Sequence, residues 1–321
     1  MKKLDLRRLT LFAILTLFFA GARTEALAQF GRIKEEAGKL AGKSPATKLL
    51  EGEPPITTSL GDAVYGDSSR DTYNPTPLTP LTSLERTLSG GFALRPGFYE
   101  MHTQSYCLKA GTHGPGGGDG YLYAPPKGPA KDAVVAIVRN SVRHPEIDQH
   151  KIQLLLWAII ARAKFENLST ELKAVASLLL TPEQLAMLNR RGLDLLPGPV
   201  HQKAMAEVPP AVRTILEAEA RIRQMLTTPG SSFEQIEAVA VLGGMAPLGE
   251  GSHQVPWGRW SIHPDGYYVR YLPQGYSHTV VQIWVPEGSS LVGKEYDPAL
   301  HVAVPGNTAR QRLIQSGRVH Q

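Results

Sequence analysis

The chain has one cysteine, Cys107. It stands in Tyr106-Cys107-Leu108, whose aromatic and aliphatic neighbours suit a strand, just before a glycine-rich run from Gly111 to Gly120. A lone cysteine cannot close an internal disulfide. It is a small buried hydrophobe, an intermolecular bridge or a reactive thiol. Gln153 is its candidate partner, in the stretch Ile152-Gln153-Leu154-Leu155-Leu156-Trp157-Ala158-Ile159-Ile160. That stretch is apolar all round, which predicts a central buried helix. Glutamine is seldom fully buried, and an unpartnered carboxamide there is costly. Trp157 lies one turn along the same face and is placed to shield the site from water. A sulfur held against a carboxamide in a dry pocket can displace ammonia. The product is an internal thioester, a stored electrophile that acylates an incoming amine or hydroxyl.

At these residues the chain resembles the thioester domains of Gram-positive surface adhesins. That family joins an aromatic-Cys-aliphatic strand motif to a buried helix in which Gln is followed four positions later by Trp, usually as TQxAIW. Cys107, Gln153, Trp157 and the preceding Tyr106 match. Ile152 stands where the family has Thr, and Leu155-Leu156 where it has Ala-Ile. The resemblance covers about 55 residues of 321. The Cys-to-Gln spacing is shorter than the family pattern, no wall-sorting signal follows, and the helical middle is not part of that pattern. The resemblance implies a Cys107–Gln153 thioester shielded by Trp157. It also implies covalent attachment to a surface protein or glycan bearing amines or hydroxyls.

Other constellations carry competing chemistry. Cys107 with His113, His263 or His278 would make a Cys-His pair, and so a cysteine-dependent hydrolase acting on envelope polymers. Catalytic thiols usually open a helix, where the dipole lowers their pKa, whereas Cys107 reads as strand. His144, Glu146, Asp148 and His150 alternate, and on a helix Glu146 and His150 share a face that suits a metal. Pro145 argues instead for a helix start, where acids complement the dipole, so no metal or cofactor is expected. Trp257, Trp260, Tyr267, Tyr271 and Trp284 are candidates for stacking on glycan rings or, more simply, for core. Gly42-Lys43-Ser44 ends like a phosphate loop, but Ala37 stands where that loop needs Gly. A third reading is a structural or glycan-binding envelope protein whose cysteine is inert. A non-enzymatic role leads.

The elements that must position these groups predict an α+β fold. A small β-containing segment packs on a helical middle, and a C-terminal β region follows. Strands are expected at 98–108, 120–124, 267–272, 278–285 and 301–304, and either a helix or a strand at 134–138. Residues 252–321 form a separate β module or complete the first sheet, and those around Arg310, Arg312 and Arg318 read as a basic tail. Helices are expected from His144 to about Phe165, from Ser169 to about Leu180, from Thr181 to near Gly192, over 210–226 and over 233–242. Residues 51–82, rich in Pro and Thr, read as a tether or loose wrapping, with a capping box at Thr82–Glu85 opening one short helix. The organisation that follows is 29–96 for a weak helix and linker, 97–251 for the cysteine segment and helical core, and 252–321 for the aromatic-rich β region.

Residues 1–28 read as a secretory signal. Lys2, Lys3, Arg7 and Arg8 precede an apolar run from Leu9 to Gly21, and Ala26-Leu27-Ala28 places cleavage before Gln29. The protein is therefore expected to be periplasmic, on the cell surface or secreted. The net charge of +5 includes five basic and two acidic residues in that leader, which leaves about +2 for the rest. Lys and Arg do not cluster as nucleic-acid binding requires. No later apolar run is long enough to span a bilayer.

Overall fold

The computed structural model describes residues 53–194, 202, 205–206, 210–288 and 294–320. The expected leader, its expected cleavage point and the helix expected at 29–48 lie outside them. The fold is mixed α+β. Six strands close a barrel: β1 (Gly97–Cys107), β2 (Tyr121–Ala124), β3 (Tyr268–Pro273), β4 (His278–Val285), β5 (Val302–Pro305) and β6 (Leu313–Val319). The order round the barrel is β1-β6-β5-β2-β3-β4 and back to β1, with every neighbour antiparallel. Closure leaves no long edge to template aggregation. The C-terminal strands thus complete the first sheet, the second of the two arrangements open to residues 252–321. The basic tail is in fact strand β6, whose Leu313 pairs with Cys107 itself.

Along β1, alternate residues Tyr99, Met101, Thr103, Ser105 and Cys107 are buried, while His102 is exposed. That is the period of two expected of a strand buried on one face. At Tyr106 both faces become buried, because helices cover the strand there. The helices are α1 (Lys131–Asn140), α2 (Gln149–Ile160), α3 (Thr170–Leu179), α4 (Pro182–Arg191), α5 (Pro210–Thr227) and α6 (Phe233–Ala240). The 134–138 run is therefore helix. Ser169 caps α3, and Thr181 with Gln184 forms the capping box of α4, as their sequence predicts. Helix α2 starts later and ends sooner than expected. Asp148 is its N-cap, accepting from the His150 amide at 2.8 Å, so His144 and Pro145 stay in the preceding turn. It ends at Ile160 because Arg162 adopts φ 53° and turns the chain.

Residues 53–82 are built into the molecule as wrapping, not as a tether. Ile56, Thr58, Leu60 and Leu81 are buried, Val64 bridges to Tyr123 on β2, and Asp71 pairs with Arg259. Proline-rich composition hid this because the segment buries isolated side chains without any periodicity. The Thr82–Glu85 capping box does not form; a single 3-10 turn occupies Leu81–Ser83 with no side-chain cap. Among the described residues no helix is long and apolar enough to cross a membrane.

Candidate functional site

Strand β1 pairs with β4 only as far as Gln104 and with β6 along Thr103–Cys107. On the β4 side, therefore, the last residues of β1 present backbone groups that no strand satisfies. Helix α2 fills this gap with two glutamines one turn apart. Gln149 Nε2 donates to the Ser105 carbonyl at 3.2 Å and to the Ser277 carbonyl at 2.8 Å. Gln153 then takes both groups of Cys107: its Oε1 accepts from the Cys107 amide at 2.9 Å, and its Nε2 donates to the Cys107 carbonyl at 3.2 Å. The match is geometric. Four residues of helix rise about 6 Å, close to the ~6.6 Å that two residues of strand advance.

Trp157 comes next along the helix. Its indole Nε1 donates to Cys107 Sγ at 2.9 Å. Cys107 and Trp157 have no solvent exposure, and Gln153 is 1% exposed. All three residues singled out by spacing therefore meet in a buried cluster. Burial pushes the Cys107 thiol up to about 12; the Trp157 hydrogen bond opposes this and the charge of Glu237 adds to it. In that state the sulfur is a protonated and poorly reactive thiol.

Helix α6 covers the pocket. Its Phe233 ring stacks on Trp157 at 5.5 Å and on His150 at 3.9 Å. Tyr276, in the β3–β4 turn, lies 6.4 Å from the Trp157 ring and donates its hydroxyl to Glu237 of α6. Sequence reasoning missed Gln149, Phe233, Glu237 and Tyr276. Of these only Gln149 left a signal, its spacing of four from Gln153.

The competing constellations do not assemble around sulfur. The only side chain that hydrogen-bonds Cys107 Sγ among the described residues is Trp157. His278 contacts His102 and stacks on His320, while His263 stacks on Tyr267 and His301. His113 lies in a two-residue strand beside Val241–Leu242, its Nδ1 buried without a partner. His144 pairs with Glu146 and His150 with Asp148, and the described residues hold no group of three or more potential metal ligands. Of the aromatic set, Trp260, Tyr267 and Tyr271 are fully buried. Trp284 stacks among Tyr73, Phe98 and Tyr268, and only Trp257 is substantially exposed.

No family model matches the chain, and no curated protein or solved structure does. The functional reading therefore rests on the pocket.

Proposed function

We propose that the protein is a non-enzymatic envelope or surface protein, exported from the cell, that attaches covalently to a partner through a Cys107–Gln153 thioester. The observation that carries the reading is the convergence on Cys107 of the Gln153 carboxamide, which grips its backbone, and the Trp157 indole, which grips its sulfur. In the forming step, Cys107 Sγ bonds to the Gln153 carboxamide carbon and the C–N bond breaks. The thiol proton leaves with the nitrogen as ammonia. An amine on the partner then attacks the same carbon, the C–S bond breaks, and the thiol is restored beside a new amide. Trp157 Nε1 is placed to stabilise negative charge on sulfur in both steps, and burial excludes the water that would hydrolyse the thioester.

A second reading has its own support. Gln149 binds the strand edge at Ser105 much as Gln153 does at Cys107. Both glutamines then act as clamps that dock α2 on β1, and the thiol is inert packing.

Intact mass separates the two. A thioester leaves the protein lighter by one ammonia; methylamine restores that mass and adds its own, and Cys107→Ala abolishes the deficit. A full-length mass with no methylamine adduct removes the covalent reading and leaves the clamp.

A further inference from the structure

Two cations on the barrel wall have no ion-pair partner among the described residues. A pocket of about 220 Å³ is walled by Ser59, Pro305, Thr308, Lys109, Arg310 and Arg312 among others, and no acidic residue lines it. Arg310 is already neutralised, since it pairs with Asp119 and donates to the Gly114 carbonyl at 2.7 Å. The other two are not. Lys109 Nζ donates only to the Thr308 carbonyl at 3.0 Å, and no carboxylate lies within ion-pair distance of it among the described residues. The Arg312 guanidinium makes no hydrogen bond or ion pair there either, and its Nε is buried without a partner.

The acids whose charge reaches Arg312 do not complete the site. Asp62 pairs with Lys127, and Glu219 on α5 is itself pushed up to about 7 by burial. Burial drives Lys109 down to about 8, with Arg312 beside it acting in the same direction, and drives Arg312 to about 10. Two like charges are thus held together in a concave, partly desolvated place, an arrangement that is strongly unfavourable unless an anion completes it.

We propose that the pocket formed by Lys109, Arg312 and the Thr308 segment binds a compact divalent oxyanion, a phosphate or sulfate, as the free ion or as the terminal group of a larger molecule. Lysine supplies a point charge, and arginine a planar fork suited to paired oxygens. The volume of about 220 Å³ admits such a group and leaves room for part of a molecule that carries it. This inference is independent of the chemistry at Cys107.

Titration calorimetry tests it, with ionic strength held constant by chloride, with three probes (inorganic phosphate, inorganic sulfate and glycerol phosphate) and with acetate as the reference anion. Saturable binding of phosphate or sulfate is expected, at least tenfold tighter than acetate. Arg312→Gln and Lys109→Gln should each weaken it tenfold or more, with circular dichroism reporting that each variant is folded. Tighter binding of glycerol phosphate than of phosphate assigns the site to an esterified group, and the reverse order to the free ion. Binding no tighter than acetate, or binding unchanged in both variants, overturns the proposal.

Discussion

At Cys107 one side chain serves two masters. Gln153 is a hydrogen-bond partner of Cys107 whether or not its carboxamide ever passes to the sulfur. Gln153→Ala strips both backbone groups of Cys107 of their partners inside the core, at about 1–3 kcal/mol for each group left unmet. Gln149→Ala, at a half-buried position, should cost distinctly less; urea denaturation of the two variants ranks them, and equal losses would show that burial does not set the cost. The meeting of the three was legible because Gln153 and Trp157 sit four apart on a largely apolar helix that has to pack on the Cys107 strand. The clamp role was not legible. It follows from where β4 stops pairing with β1, a fact of topology that no local pattern records. Lys109 and Arg312 were equally hidden, since each looks like an ordinary solvated charge until β1 and β6 are set side by side.

At the level of elements, α6 decides what reaches the sulfur. It is a short helix of eight residues, capped by Ser232 with Gln235, and it presents Phe233 to Trp157. Removing that ring should open the pocket without touching Cys107, Gln153 or Trp157. Phe233→Ala is expected to speed the reaction of Cys107 with a small probe by tenfold or more, read as methylamine uptake if the thioester is present or as iodoacetamide labelling if it is not. An unchanged rate would place the entry route elsewhere. Helices α3 to α6 were largely readable from their caps and stripes. The start of α2 was misjudged because Pro145 is a valid first-turn residue, yet Asp148 offered the better cap. Strand β6 was missed because Gln315, Ser316 and Gly317 interrupt its apolar pattern. Pairing with β1 and β5 imposes the strand that propensity does not favour.

At the scale of the molecule, closure of the barrel predicts that its six strands unfold as one cooperative unit. Deleting residues 307–321 removes β6 and leaves β1 and β5 without the strand between them. The expected result is loss of cooperative unfolding, and a truncated protein with an intact thermal transition would contradict it. Stability should also depend on pH from both sides. His301 is fully enclosed, its Nε2 accepting from the Tyr267 hydroxyl at 2.7 Å and its Nδ1 donating to the Asp297 carbonyl at 2.7 Å. Burial lowers it from 6.5 to about 3, so the unfolded chain takes up its proton first and stability falls as pH drops from about 6.5 toward about 3. Glu219 is raised from 4.5 to about 7, so its contribution is present below 4.5 and is lost as pH rises through about 7. Between them they give a plateau at mildly acidic pH. His301→Gln should flatten the acid limb and Glu219→Gln the neutral one in urea titrations across pH. A limb that keeps its slope in the matching variant would assign it to other groups.

The pairing of β1 with β6 also sets a clock. Thr103 and Ser316, which meet through a buried hydrogen bond, are 213 positions apart in the chain. Ribosomal synthesis delivers Cys107, Gln153 and Trp157 long before it delivers the strand that holds Cys107 in register. Until then the thiol is flexible and hydrated, and a loose cysteine does not attack an amide. Under the thioester reading, reactivity at Cys107 would be withheld from a nascent chain and would wait on completion of the barrel.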